Sequence, residues 1–250
     1  MSQKTENGPR YKRILLKLSG ETLQDSEKRV SLDHGVTDVI ADRVKHVAER
    51  GVEVAIVVGG GNIFRGLSGE ARGFDRITGD YMGMLATIIN ALALQNAIEK
   101  TGLHTRVLTA IEMNKVAEPF ILRRALRHFS KGRVLVFAGG TGNPYFSTDS
   151  AAALRASEIK ADVLLKATKV DGVYSEDPVK NPQAEKYTRL TYQDALQKSL
   201  KVMDGSAFSL CMENRIPIVV FDFFSPGSLE RIIEGENIGT VVSDKIEEEE

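Results

Sequence analysis

Apolar runs and apolar residues at helical spacing alternate along the chain. Residues 12–19 (K-R-I-L-L-K-L-S) read as a first strand and 52–56 (V-E-V-A-I) as a strand buried on both faces. Between them, 33–50 places Val36, Val39 or Ile40, Val44 and Val47 one helical turn apart and stops at Gly51. Strands follow at 105–108, 133–137, 161–166 and 216–222, and an edge strand at 240–242. Helices are expected near 119–129 and at 149–158, 192–199, 206–214 and 228–234. The longest helix, 80–100, is apolar on nearly every side (Met84, Leu85, Ile88, Ile89, Leu92, Leu94), which suits a core or a subunit contact. A homo-oligomer is therefore expected. Residues 169–192, rich in Asp, Pro, Asn and Lys, read as a loop or hairpin over a site. The order of elements predicts one α/β unit with a mainly parallel sheet.

Composition narrows the class of function. A chain of 250 residues with 42% hydrophobic and 27% charged residues is ordinary for a globular protein. The formal net charge of −1 offers no footprint for nucleic acid or an anionic membrane, so any anion site must be local. The single cysteine, Cys211, cannot form an internal disulfide and points to a reducing, cytoplasmic setting. Residues 1–10 are polar, without the apolar core of a signal peptide, and read as a disordered start; 245–250 read as a solvated acidic tail. No stretch is expected to approach the apolar length of a membrane span.

The candidate chemistry sits at strand ends. Three glycines, 59–61, follow the second strand, with Asn62 placed to cap a short helix and Arg65 placed to clamp an anion. The alternative is a tight turn beside a surface arginine. Lys17 interrupts an apolar strand near its carboxyl end, where a buried ammonium must meet an anion or reach water. A second glycine-rich turn, A-G-G-T-G-N-P at 138–144, and the K-A-T-K run at 166–169 complete a set of anion-binding parts. Asp149 and Asp204 stand close to such turns, and each reads equally as a helix cap. The P-loop spacing is absent, and Phe64 breaks the dinucleotide fingerprint. With four scattered histidines and one cysteine, no metal-ligand cluster is expected, and Cys211 reads as an inert core residue. Cations and backbone cradles with little covalent machinery suit phosphoryl transfer.

Six stretches carry a resemblance. R-I-L-L-K-L-S-G-E (13–21), G-G-G-N-I-F-R-G (59–66), G-D-Y-M-G-M-L-A (79–86), G-T-G-N-P-Y-F-S-T-D-S-A-A (140–152), L-K-A-T-K-V-D-G-V-Y (165–174) and L-K-V-M-D (200–204) resemble bacterial UMP kinases of the amino acid kinase family. The first two are shared with the family's carbamate and carboxylate kinases; the third and fourth are closer to the UMP kinases. The resemblance implies a three-layer fold, an open, mainly parallel sheet sandwiched between helices, in a single domain at 11–244. Its acceptor part would run to about 160 and its ATP part from there on. The implied reaction is transfer of the γ-phosphoryl group of ATP to UMP, giving UDP in pyrimidine nucleotide biosynthesis. The alternatives are a carboxylate or carbamate kinase of the same fold, or a non-catalytic nucleotide sensor.

By position, the resemblance implies that Lys17, Leu18, Ser19 and Gly20 hold the ATP phosphates, with Gly61, Arg65 and Lys166 close by. Thr168, Tyr174 and Asp177 would take the adenine and ribose of ATP. Gly60, Arg65 and Asp80 would hold UMP, Asp80 at its ribose. Thr141, Gly142, Asn143, Pro144, Tyr145, Phe146, Ser147 and Thr148 would wrap the nucleotide and read uracil. Lys17, Arg65, Asp149 and Asp204 form the implied catalytic set, the two aspartates orienting the lysines around a Mg²⁺ held mainly by ATP. No resident metal site is expected. The resemblance further implies a homohexamer, with GTP and UTP as effectors. The loop 24–31, implicated in that control, is charged here and lacks the glycines often found there.

Overall fold

The computed structural model describes residues 8–25, 30–64, 73–200 and 202–244. Nine strands form one sheet: β1 (Arg13–Leu18), β2 (Glu53–Val58), β3 (Thr105–Thr109), β4 (Glu118–Pro119), β5 (Val134–Ala138), β6 (Val163–Thr168), β9 (Arg189–Thr191), β10 (Ile218–Asp222) and β11 (Thr240–Ser243). Their order is β4-β3-β5-β2-β1-β6-β10-β11-β9. All neighbouring pairs are parallel except β10 with β11. Strands β7 (Val173–Tyr174) and β8 (Lys186–Tyr187) make a separate antiparallel pair, the hairpin expected in the polar 169–192 segment.

Alternation along the strands divides the core into two faces. Ile14, Leu16, Leu18, Ile56 and Leu165 pack with helices α1 (His34–Ala48), α2 (Arg76–Lys100) and α7 (Ser228–Ile233). Leu15, Ala55, Val57, Leu164 and Val220 pack with α3 (Leu122–Phe129), α4 (Thr148–Ile159), α5 (Tyr192–Gln197) and α6 (Gly205–Glu213). The result is the expected three-layer sandwich. Cys211 lies in the second layer, and its burial pushes the thiol up to about 12, out of reach of thiolate chemistry.

Several boundaries differ from expectation, for local reasons. Helix α2 starts at Arg76, a turn before the apolar spacing begins, because the Asp75 carboxylate caps it by accepting the Thr78 N–H at 3.0 Å. By length and composition α2 could cross a membrane, contrary to the sequence reading, yet Ile88, Ala91, Leu94 and Ile98 are buried against the sheet. Strand β11 is interior rather than an edge; the edge is β9, only three residues long and drawn from the polar segment. The short helix that Asn62 was placed to cap would run into residues 65–72, outside the described ones. The Asn62 amide donates to Ser31 O at 2.6 Å and pairs with buried Asn90.

Candidate active site

The chain runs from β1 to β2 on one side and later returns to place β6 on the other. This switch point is where open α/β sheets hold ligands, beyond the carboxyl ends of the strands. Lys17 on β1 and Lys166 on β6 are register partners there. Sharing the parity of Leu15 and Leu164, both project towards α4. Two ammonium groups side by side would repel. Asp149, in the first turn of α4, separates them: its Oδ1 lies 2.9 Å from Lys17 Nζ and its Oδ2 lies 2.8 Å from Lys166 Nζ. Oδ1 has no aligned hydrogen bond among the described residues, so charge is what holds Lys17 to it. Lys166 also donates to the Val202 carbonyl at 2.6 Å.

Burial by itself would raise the Asp149 pKa, but the Lys17 and Lys166 charges and the Lys166 hydrogen bond outweigh it and hold the carboxyl below its usual range. Burial lowers Lys166 below the ordinary lysine value, against the pull of Asp149 and with the push of Lys17. The cluster carries one net positive charge, with Lys166 on the wall of one cleft and Thr148 and Ser150, either side of Asp149, on the wall of another. It is suited to a passing anion.

One cleft, about 480 Å³, is lined by Gly60, Asp80, Thr141, Tyr145, Thr148 and Asp204 among others. The second, about 550 Å³, is lined by Lys166, Thr168, Tyr174, Asp177, Leu200 and Val202 among others. The glycines at the junction have a steric reason. A Cβ on Gly20 would stand 2.6 Å from Gly61 N, and one on Gly60 would stand 2.6 Å from Gly83 O on α2. The Gly59 N–H donates to Leu18 O at 3.0 Å, so this part of the cradle binds the chain itself. Across the first cleft, Gly139, Gly140 and Gly142 adopt φ of 75°, 58° and 82°, and Thr87 Oγ1 accepts the Gly139 N–H at 2.8 Å.

The Amino acid kinase family model matches residues 12–222. The chain belongs to the amino acid kinase family. It is similar to the crystal structure of UMP kinase from Bacillus anthracis, with 41% identity and a TM-score of 0.91 over 94% of this chain and 97% of that one. UMP kinase from Ureaplasma parvum is 39% identical, TM-score 0.87, over 94% and 99%. Uridylate kinase from Archaeoglobus fulgidus is 30% identical, TM-score 0.70, over 92% and 99%.

Within this family fold, the expected site residues separate into groups. Lys17, Lys166 and Asp149 come together as one ion cluster. Asp149 is not the cap of α4: Ser147 is, its Oγ accepting the Asp149 and Ser150 N–H groups at 2.9 and 3.2 Å. Asp204 is the cap of α6, accepting the Ala207 N–H at 2.9 Å. It also takes hydrogen bonds from the hydroxyls of Ser147, Ser150 and Ser206, tying α4 to α6 without touching either lysine. Leu18 is fully buried, so only its backbone can serve a ligand. Arg65 lies outside the described residues. Ser150, Ser206, Thr87 and Arg76 line the first cleft and were not singled out from the sequence. Arg76 had a legible signal, its four-residue spacing from Asp80, once the helix is started at the Asp75 cap.

Proposed function

We propose that the chain transfers the γ-phosphoryl group of ATP to the phosphate of UMP, yielding ADP and UDP, in the cytoplasm. The observation that carries this reading is the Lys17–Asp149–Lys166 cluster between two clefts, one of them walled by Asp80 and the 139–148 turn. The 550 Å³ cleft then takes ATP and belongs to the part of the domain after residue 160; the 480 Å³ cleft takes UMP and belongs to the part before it. The acceptor phosphate is anionic at neutral pH, so no general base is needed. Its oxygen forms a bond to the γ-phosphorus as the bridging bond to ADP breaks. The barrier is alignment and charge repulsion, which Lys17 and Lys166 relieve, joined by Arg65 over the donor–acceptor junction.

Among the described residues no group of three His, Cys, Asp or Glu side chains can cage a metal. Mg²⁺ keeps waters and phosphate oxygens and needs few protein carboxylates, so an ion delivered by ATP fits, with Asp204 on the cleft wall to hold its water shell. When bound, the ion neutralises phosphate charge. The test is an ADP-release assay with ATP and Mg²⁺, offering UMP, CMP, dUMP, glutamate, aspartate and carbamate. UMP is expected to be turned over far faster than any other acceptor; an amino acid or carbamate turned over instead would replace the acceptor, and silence would favour a sensor.

Self-association is the second element of the reading. Ile77, Tyr81, Leu85 and Ile89 form a stripe along α2, 43% to 50% exposed, the first three directly following the cleft-lining Arg76, Asp80 and Met84. A second copy packing on this stripe would cover it. We expect a homo-oligomer, a hexamer by the family resemblance, with GTP and UTP acting on it. The double substitution Leu85→Glu/Ile89→Glu should lower the mass measured by light scattering; an unchanged mass would sink this contact.

A further inference from the structure

The phosphoryl-transfer reading gives Asp80 to the ribose of UMP but leaves its partner in the first turns of α2, Arg76, without a role. Arg76 and Asp80 stand one turn apart on the face that lines the acceptor cleft, and Arg76 Nε donates to Asp80 Oδ2 at 2.8 Å. The same oxygen accepts the backbone N–H of Tyr145 at 2.7 Å. One carboxylate oxygen therefore fastens the helix to the turn between β5 and α4. The guanidinium reinforces the link by lying 5.7 Å from the centroid of the Tyr145 ring.

That turn needs fastening. Tyr145 has φ 73°, a left-handed conformation that strains a residue with a Cβ. Its side chain is 65% exposed, so packing does little to hold it. The charge-assisted bond to Asp80 is the polar restraint on its amide, and Arg76 holds the carboxylate that makes it. At the other end of the turn, the Thr87–Gly139 bond again anchors it to α2. Asp80 Oδ1 makes no hydrogen bond among the described residues and remains an acceptor on a cleft-lining side chain.

We infer that Arg76 is a positioning residue of the acceptor site, forming with Asp80 a clasp that shapes the 139–147 turn for a ribose-bearing acceptor. Oδ2 keeps the turn in place while Oδ1 accepts hydrogen bonds from the sugar hydroxyls. Specificity for ribose and order in the turn are thereby coupled through one carboxylate. This rests on the proposal that the acceptor is a nucleoside monophosphate.

Arg76→Ala and Arg76→Lys test it through steady-state kinetics with UMP, dUMP and ATP, together with amide hydrogen exchange of the 139–147 segment in substrate-free protein. Losing one charge-assisted restraint should raise KM for UMP about tenfold in Arg76→Ala. KM for ATP should hold within about twofold, kcat should fall less than KM rises, and the preference for UMP over dUMP should shrink. Arg76→Lys should recover part of the loss, since an ammonium reaches Asp80 but offers no planar face to Tyr145. Exchange at Tyr145 should quicken in Arg76→Ala. Equal rises in KM for UMP and ATP, or a raised KM for UMP with unaltered exchange, would overturn the clasp. Wild-type protein silent towards UMP would instead overturn the acceptor. In that case the exchange measurement still decides the clasp, quickened exchange supporting it and unaltered exchange removing it.

Discussion

Lys17→Met is expected to leave a folded protein whose kcat for UMP is lower by about 10³, the scale on which a cation at a transferring phosphoryl group acts. The expectation follows from the charge count at the switch point. Lys17, Asp149 and Lys166 are one anion between two cations, all largely buried. Removing Lys17 leaves Asp149 with Lys166 at 2.8 Å, a balanced pair, and methionine fills most of the vacated volume. Stability should therefore shift little. The transition state loses a cation that Lys166 cannot replace, because it is anchored by both Asp149 and the Val202 carbonyl. Single-turnover kinetics and a thermal melt check the two halves separately. A variant within tenfold of the parent rate would remove Lys17 from the reaction, and a melt lowered as far as the rate would make it structural.

The fold was legible in the sequence where its physics is periodic. The strands around Lys17 and Lys166 are continuous apolar runs, and 33–50 has a complete helical face, so the central layers follow from pattern alone. Short elements such as β4 and β9, two and three residues long, carry no period and were missed. Lys17 was conspicuous as a charge inside an apolar strand. Its pairing with Asp149 was not evident from the pattern, since 132 residues separate them and only the packing of α4 against β1 brings them together. Asp204 illustrates the opposite case, because the cap role open from sequence is the one its geometry displays, alongside its serine contacts. The glycines of 59–61 were read as a ligand cradle, yet Gly59 and Gly60 answer first to the close approach of β1 and α2.

Asp149→Asn should have the opposite balance of effects from Lys17→Met, with stability falling by about 3 kcal/mol or more as well as turnover. The amide keeps the shape but removes the carboxylate charge between two buried ammonium groups that are register partners. Linkage gives the effect a pH signature. In the parent, Asp149 titrates below its unfolded value of 3.8, so its contribution is full above that value and is lost as pH falls through the folded pKa. The variant lacks this acid dependence. Lys166 already titrates below 10.5, and Asp149 is what limits the drop, so the variant should release that proton at lower pH than the parent. Between the folded pKa and 10.5 the unfolded chain binds more protons, and stability rises with pH. The variant should therefore gain stability in alkali over a wider window than the parent, as read by denaturant melts across pH. Adding Lys166→Met to Asp149→Asn removes the repulsion at its source, and should restore much of the lost stability while leaving turnover low. A double variant no more stable than Asp149→Asn would show that the aspartate holds the fold through contacts other than charge balance between the lysines.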